Sequence, residues 1–130
     1  MFQLVGDRLE LPLIPAGFPS PAEDYLDRDI NLNDLIDHPS STYLMRASGN
    51  SMTGAGIFDN DLLIVDRSLT AKPGHVVIAC LHGEFTVKRL IRSADGLPRL
   101  VSENPAYPDP PEGEEIEIWG VVRYAVRDLK

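Results

Sequence analysis

Ser51 lies in the turn Gly49-Asn50-Ser51-Met52, shortly ahead of the apolar run "DLLIVD", and a serine held on such a bend can serve as a nucleophile. Its hydroxyl is a weak nucleophile until an adjacent base takes the proton. The histidines, His38, His75 and His82, stand in "DHPS", "KPGH" and "LHGE", loop or strand-end contexts where a solvated or locally bonded imidazole is the ordinary state. Lys88 sits differently, in "EFTVKRL", where Phe85, Val87 and Leu90 mark a strand with substantial burial. Desolvation favours the neutral amine, and a neutral lysine can act as general base, so Ser51 and Lys88 can form a Ser-Lys pair without histidine. On these residues alone the commoner readings stay open: a turn serine, and a strand lysine whose ammonium reaches out to water.

The residues around this pair allow roles of both kinds. Thr86 shares a strand face with Lys88, so its hydroxyl can orient the amine or the serine, or it can be a β-favouring threonine and nothing more. Met52 is better suited to packing beside the site than to chemistry. Oxyanion donors would be main-chain amides of the "GNSM" bend, that of Ser51 included. Gly49, Gly54 and Gly56 read as suppliers of turn conformations. Asp59, Asp61 and Asp66 lack calcium-loop spacing and read as turn residues and solvated charges. Cys80 and His82 can share a strand face, but two ligands make a poor zinc site. Neither a metal nor a cofactor is expected.

These residues need a scaffold, and composition limits which one. The chain has 130 residues, 43% of them hydrophobic and 25% charged, enough for one globular domain with an ordinary core. Its 11 prolines and 10 glycines disfavour long helices and point to a mainly β fold. Twenty acidic against 12 basic residues, a net charge of -8, disfavour direct nucleic-acid binding, which depends on lysine and arginine releasing counterions. The single cysteine, Cys80, suits a reducing compartment, and cytoplasm is the expected location. No stretch has the ~20 apolar residues of a membrane span, and "MFQLVGDRLELPLIP" lacks the features of a signal peptide.

Along the chain the pattern changes near residue 41. The stretch "LPLIPAGFPSPAEDY" carries four prolines in 15 residues and reads as part of an extended or irregular arm, residues 1–40. Within it "DINLNDLIDHP" suggests one or two helical turns capped by Asn31 or Asn33 and stopped by Pro39. From there "TYLMRAS", "DLLIVDRS", "HVVIACL", "EFTVKRLI", "LPRLVSE" and "IEIWGVVRYAV" are β-branched and aromatic runs divided by turn residues. They predict a compact, curled antiparallel β domain over residues 41–130, with a mobile amino-terminal arm before it.

The ordered set "ASGNSM", "GIFDNDLLIVDRS", "KPGHVVIA" and "GEFTVKRL", extended by "GFPSPAEDY" and "WGVVRYAV", resembles the LexA/UmuD family of self-cleaving serine proteases of the bacterial SOS response. The 37 residues from Ser51 to Lys88 suit that family as well. The resemblance implies a LexA/signal-peptidase-like β fold and a serine endopeptidase with a Ser-Lys dyad, Ser51 as nucleophile and Lys88 as base. It implies autocatalytic cleavage before a glycine in the arm, here Ala16-Gly17; Thr86 and Met52, from their own positions, are the accessory candidates. Pro15 and Pro19 favour an extended presentation of that bond. Ala-Gly is closer to the pattern of the family's repressors than to the cysteine that UmuD carries at the first position.

Further implications concern partners. The resemblance implies a homodimer, a RecA nucleoprotein filament that stimulates cleavage, and the catalytic subunit of an error-prone translesion DNA polymerase. A repressor member would need a helix-turn-helix domain, which 40 proline-rich acidic residues do not supply. A signal peptidase would need a membrane anchor, and a polymerase would not fit in 130 residues. The competing reading from another class is a non-enzymatic dimeric module that binds a polymerase and does not cut itself.

Overall fold

The computed structural model describes residues 14–18, 31–113 and 115–130, together with the backbone of Leu4–Val5 and Arg8–Leu9. Two compact units divide the chain, residues 1–39 and residues 40–130.

The first unit holds more regular structure than its sequence suggested. Strands β1 (Leu4–Val5) and β2 (Arg8–Leu9) form a short antiparallel ribbon in which Leu4 faces Leu9 and Val5 faces Arg8. A 3-10 turn follows at Leu32–Leu35, where Asn31 caps the start by accepting from the Asn33 amide at 3.1 Å. Pro39 does not end this segment as expected. It opens a second 3-10 turn, Pro39–Ser41, since its fixed φ suits the first position of a helical turn.

The second unit is mainly β. All six predicted runs form strands: β3 (Thr42–Arg46), β4 (Leu62–Asp66), β5 (Val76–Leu81), β6 (Glu84–Arg92), β7 (Pro98–Val101) and β8 (Glu117–Val126). They make one antiparallel sheet in the order β3-β4-β8-β5-β6-β7, so the last strand of the chain lies at its centre. β5 and β6 are joined through His82 and Gly83, both at positive φ (51° and 78°), the backbone that matches a tight hairpin to strand twist. Beside β8 the register slips between Ile64 and Val65 and again between Ile78 and Ala79, which leaves Arg123 and Trp119 as the extra residues. Both bulges fall on β8, and a bulge bends its strand and increases the local twist.

Alternation along the strands sorts the apolar residues into two clusters. Leu63, Val65 and Ile78 gather with Ala47, Met52 and Ile57, while Val77 and Ala79 gather with Leu90, Leu100 and Val121. Burying each of the larger side chains among them, Leu, Val, Ile or Met, contributes about 1.5–3 kcal/mol. Two acidic residues were expected to be solvated, and they are not: Asp61 and Asp66 are each 1% exposed. Asp61 accepts from Arg127 Nε at 2.7 Å and from the Phe58 amide at 2.9 Å, which makes its burial tolerable. Asp66 Oδ1 takes the amide and hydroxyl of Ser68 at 2.8 and 2.6 Å. Among the described residues no helix is long and apolar enough to cross a membrane.

Candidate active site

The turn carrying Ser51 is fixed from three sides. Asp59 Oδ1 accepts from the Gly49 amide at 2.7 Å, ahead of the serine. Met52 is 3% exposed and enters the apolar cluster just after it, so packing anchors the serine's neighbour. Gly49 and Gly56 adopt positive φ, 89° and 81°, as turn glycines do. Gly54 differs from its expected role: a Cβ there would lie 2.5 Å from the Glu103 carbonyl oxygen, so it permits close approach. The third side is the segment after β7, where the Glu103 amide donates to the Ser51 carbonyl at 2.8 Å and the Glu103 carbonyl accepts from Gly54 at 2.7 Å. Asn104 Nδ2 donates to the Asn50 carbonyl at 2.8 Å.

Lys88 comes to this turn from β6. Its Nζ donates to Ser51 Oγ at 3.1 Å and to the Val87 carbonyl at 3.0 Å, across 37 and 1 residues of chain respectively. In the β5–β6 register Lys88 faces Val77 and Thr86 faces Ala79, and both β5 residues are fully buried. The lysine is half-buried, and this desolvation holds its pKa below the ordinary 10.5, against an opposing pull from the Asp109 carboxylate, which favours the cation. Thr86 shares the Lys88 face but is not among the hydrogen-bond partners of Nζ. His75 Nδ1 accepts from the Lys72 amide within its own turn, and His82 belongs to the β5–β6 hairpin, so the base candidate beside Ser51 is the lysine. Such a pair can pass a proton from a hydroxyl to an amine as the oxygen attacks a carbonyl carbon.

Next to the serine turn a cavity of about 180 Å³ opens, lined by Gly49, Met52, Ile57, Phe85, Thr86 and Val87 among others. A larger cavity of about 620 Å³ is bounded by Leu97, Arg99, Pro110 and Ile116; Ser51 and Lys88 line neither cavity, and only the smaller one borders their neighbours Met52, Thr86 and Val87. Ala16 and Gly17 belong to the first unit. They lie in an exposed bend that includes Phe18, 92% exposed, where the flanking prolines suggested an extended presentation. Pro19 lies outside the described residues.

Sequence reasoning missed the residues that hold this geometry. Glu103 accepts from Arg89 Nε at 2.7 Å, and Arg89 NH1 donates to the Gly74 carbonyl at 2.6 Å, linking the serine turn to the loop before β5. The one local signal was "SEN" directly after a strand, a polar cluster of the kind that caps or turns. Nothing local says which carbonyls it meets.

Known proteins similar to the chain agree with this architecture. A model of the Peptidase S24-like family matches residues 9–123. Protein MucA of Salmonella typhimurium is 48% identical over 118 residues, which cover 89% of this chain and 81% of MucA. Protein SamA of Salmonella typhimurium is 46% identical over 111 residues, 83% of this chain and 76% of SamA. The LexA repressor of Pseudomonas chlororaphis is 39% identical over 109 residues, 82% of this chain and 54% of the repressor. With nearly its whole length matched in this way, the chain belongs to the Peptidase S24-like family, which takes in the UmuD-like proteins and LexA.

Proposed function

We propose that the chain is a UmuD-like SOS mutagenesis protein that cuts its own arm at Ala16-Gly17, with Ser51 as nucleophile and Lys88 as general base. The observation that carries this reading is the 3.1 Å contact between Nζ and Oγ, made by a lysine whose pKa burial lowers. In the first step neutral Lys88 takes the Ser51 hydroxyl proton as Oγ bonds to the Ala16 carbonyl carbon. Main-chain amides at the serine turn stabilise the resulting oxyanion. The Lys88 ammonium then gives its proton to the Gly17 nitrogen, the carbon–nitrogen bond breaks, and an ester joins Ser51 to Ala16. Water, deprotonated by Lys88, hydrolyses that ester and restores the serine.

On this reading residues 1–40 are a mobile arm carrying the bond, and residues 41–130 are the protease domain. An intramolecular substrate removes the association step, an advantage of up to ~7–11 kcal/mol for a well-oriented pair. The rate is then governed by how often the arm occupies the site. A RecA nucleoprotein filament accelerates cleavage by stabilising that pose, with no added catalytic group. The processed chain, as a cytoplasmic homodimer, serves as regulatory subunit to the catalytic subunit of an error-prone translesion DNA polymerase. Similarity to MucA and SamA at 48% and 46% identity supports this assignment.

The test is incubation of the purified chain with and without RecA filaments on single-stranded DNA. A fragment beginning at Gly17, formed faster with the filament and absent from Ser51→Ala, is the expected result. No fragment under either condition overturns the reading.

A further inference from the structure

We infer that Asn104 is a positioning residue for the oxyanion site: its side-chain amide fixes the Asn50–Ser51 peptide so that the Ser51 N–H is held ready for the developing charge. This deepens the proposed function and rests on its assignment of Ser51 as nucleophile.

Peptide geometry sets the direction of this N–H. In a planar trans peptide the C=O and N–H point in opposite directions, and the described chain contains no cis bond. The carbonyl of Asn50 and the amide of Ser51 belong to one such unit. Asn104 Nδ2 holds that carbonyl at 2.8 Å, so the Ser51 N–H must point away from Asn104. The next unit is fixed in the same way, because the Glu103 amide holds the Ser51 carbonyl at 2.8 Å and thereby directs the Met52 N–H. The Gly49 amide is already committed to Asp59 Oδ1 at 2.7 Å, which removes it from the set of donors. Among the described residues no acceptor takes up the Ser51 N–H.

Asn104 is itself oriented. Its Oδ1 accepts from the Ala106 amide at 3.0 Å, two residues on, so the NH₂ end of the side chain is the end that meets Asn50. A donor preorganised in this way stabilises a developing oxyanion without reorganisation during the reaction. Of the three contacts that fix the serine turn from this side, the two made by Glu103 are main chain and do not depend on its side chain. The contact from Asn104 is side chain and can be removed alone.

Asn104→Asp and Asn104→Ala separate the possible roles. Aspartate keeps an acceptor for the Ala106 amide but loses the donor to Asn50, whereas alanine loses both. Cleavage rates of wild type and both variants are measured across pH and compared on the alkaline plateau, where a shifted Lys88 titration no longer enters. Thermal unfolding of each protein is followed alongside. We expect both variants to stay folded and to cut about 10- to 100-fold more slowly on the plateau, with the midpoint of Asn104→Ala where wild type has it. Wild-type rates in Asn104→Asp, with slow cleavage only in Asn104→Ala, would make Asn104 a turn cap and overturn the inference. Wild-type rates in both variants would overturn it too. If wild type itself does not cut, the Ser51 assignment fails first, a result distinct from either of these. Should Asn104→Ala not fold, Asn104→Asp alone decides.

Discussion

Lys88 faces fully buried Val77 across the β5–β6 pair, so its charged form loses hydration that the neutral form does not need. Its pKa falls below the ordinary 10.5 for that reason, and only the neutral amine can accept the serine proton. The self-cleavage rate should therefore rise with pH and level off above the lowered pKa. Asp109 acts in the opposite sense, since its negative charge favours the ammonium. Replacing it by asparagine removes that support, lowers the pKa further and moves the midpoint of the rate profile to lower pH. A rate–pH series on Asp109→Asn checks this, and an unmoved or raised midpoint would count against it. Asp109 Oδ1 also accepts from the Ser102 amide at 2.8 Å, a bond that asparagine can keep.

At the scale of elements, the strands were legible and their neighbours were not. Runs such as "HVVIACL" and "EFTVKRLI" combine β-favouring residues with a turn between them, so β5, β6 and their hairpin can be read locally. Nothing in "IEIWGVVRYAV" indicates that β8 inserts between β4 and β5, nor that Trp119 and Arg123 are bulged, because sheet order depends on contacts far apart in sequence. The short ribbon of β1 and β2 escaped for a related reason: two-residue strands carry no period. Ser51 and Lys88 could be paired only through the resemblance of the whole ordered pattern, while the 103–104 clamp on the serine turn left almost no signal. Gly54 tests the clamp. A methyl group there meets the Glu103 carbonyl oxygen at 2.5 Å, and the main chain must shift to relieve it. Gly54→Ala should lower stability by about 1–3 kcal/mol in denaturant unfolding. It should also slow cleavage more than the stability loss explains, because the displaced turn carries Ser51. Wild-type stability and rate in this variant would contradict the role given to the clamp.

For the whole molecule, the β domain is closed by a pair 66 residues apart, Asp61 and Arg127. Arg127 donates through Nε and NH2 at 2.7 and 2.9 Å, reaches the Gly56 carbonyl at 3.1 Å, and lies 4.1 Å over the Phe58 ring. It thereby ties the segment after β8 to the loop that follows the serine turn. The Arg127 hydrogen bond holds the Asp61 carboxyl below its ordinary value, opposed by burial and aided by the Phe58 amide. A depressed folded pKa contributes stability above the unfolded value of about 3.9, and that contribution is lost as pH falls through the folded value. Asp61→Asn should therefore unfold about 1–3 kcal/mol more easily at neutral pH, with the gap to wild type closing below about pH 4. A gap that persists unchanged into acid would contradict the ionic assignment.

The same closed domain is proposed to act on its own arm, and one measurement bears on that directly. Wild type, Ser51→Ala and Lys88→Ala are incubated at mildly alkaline pH and their intact masses are followed over time. Wild type should be cut between Ala16 and Gly17, Ser51→Ala should stay intact, and Lys88→Ala should lose at least about 10²-fold in rate. Cleavage at that bond at the wild-type rate in either variant would contradict the assignment of Ser51 and Lys88.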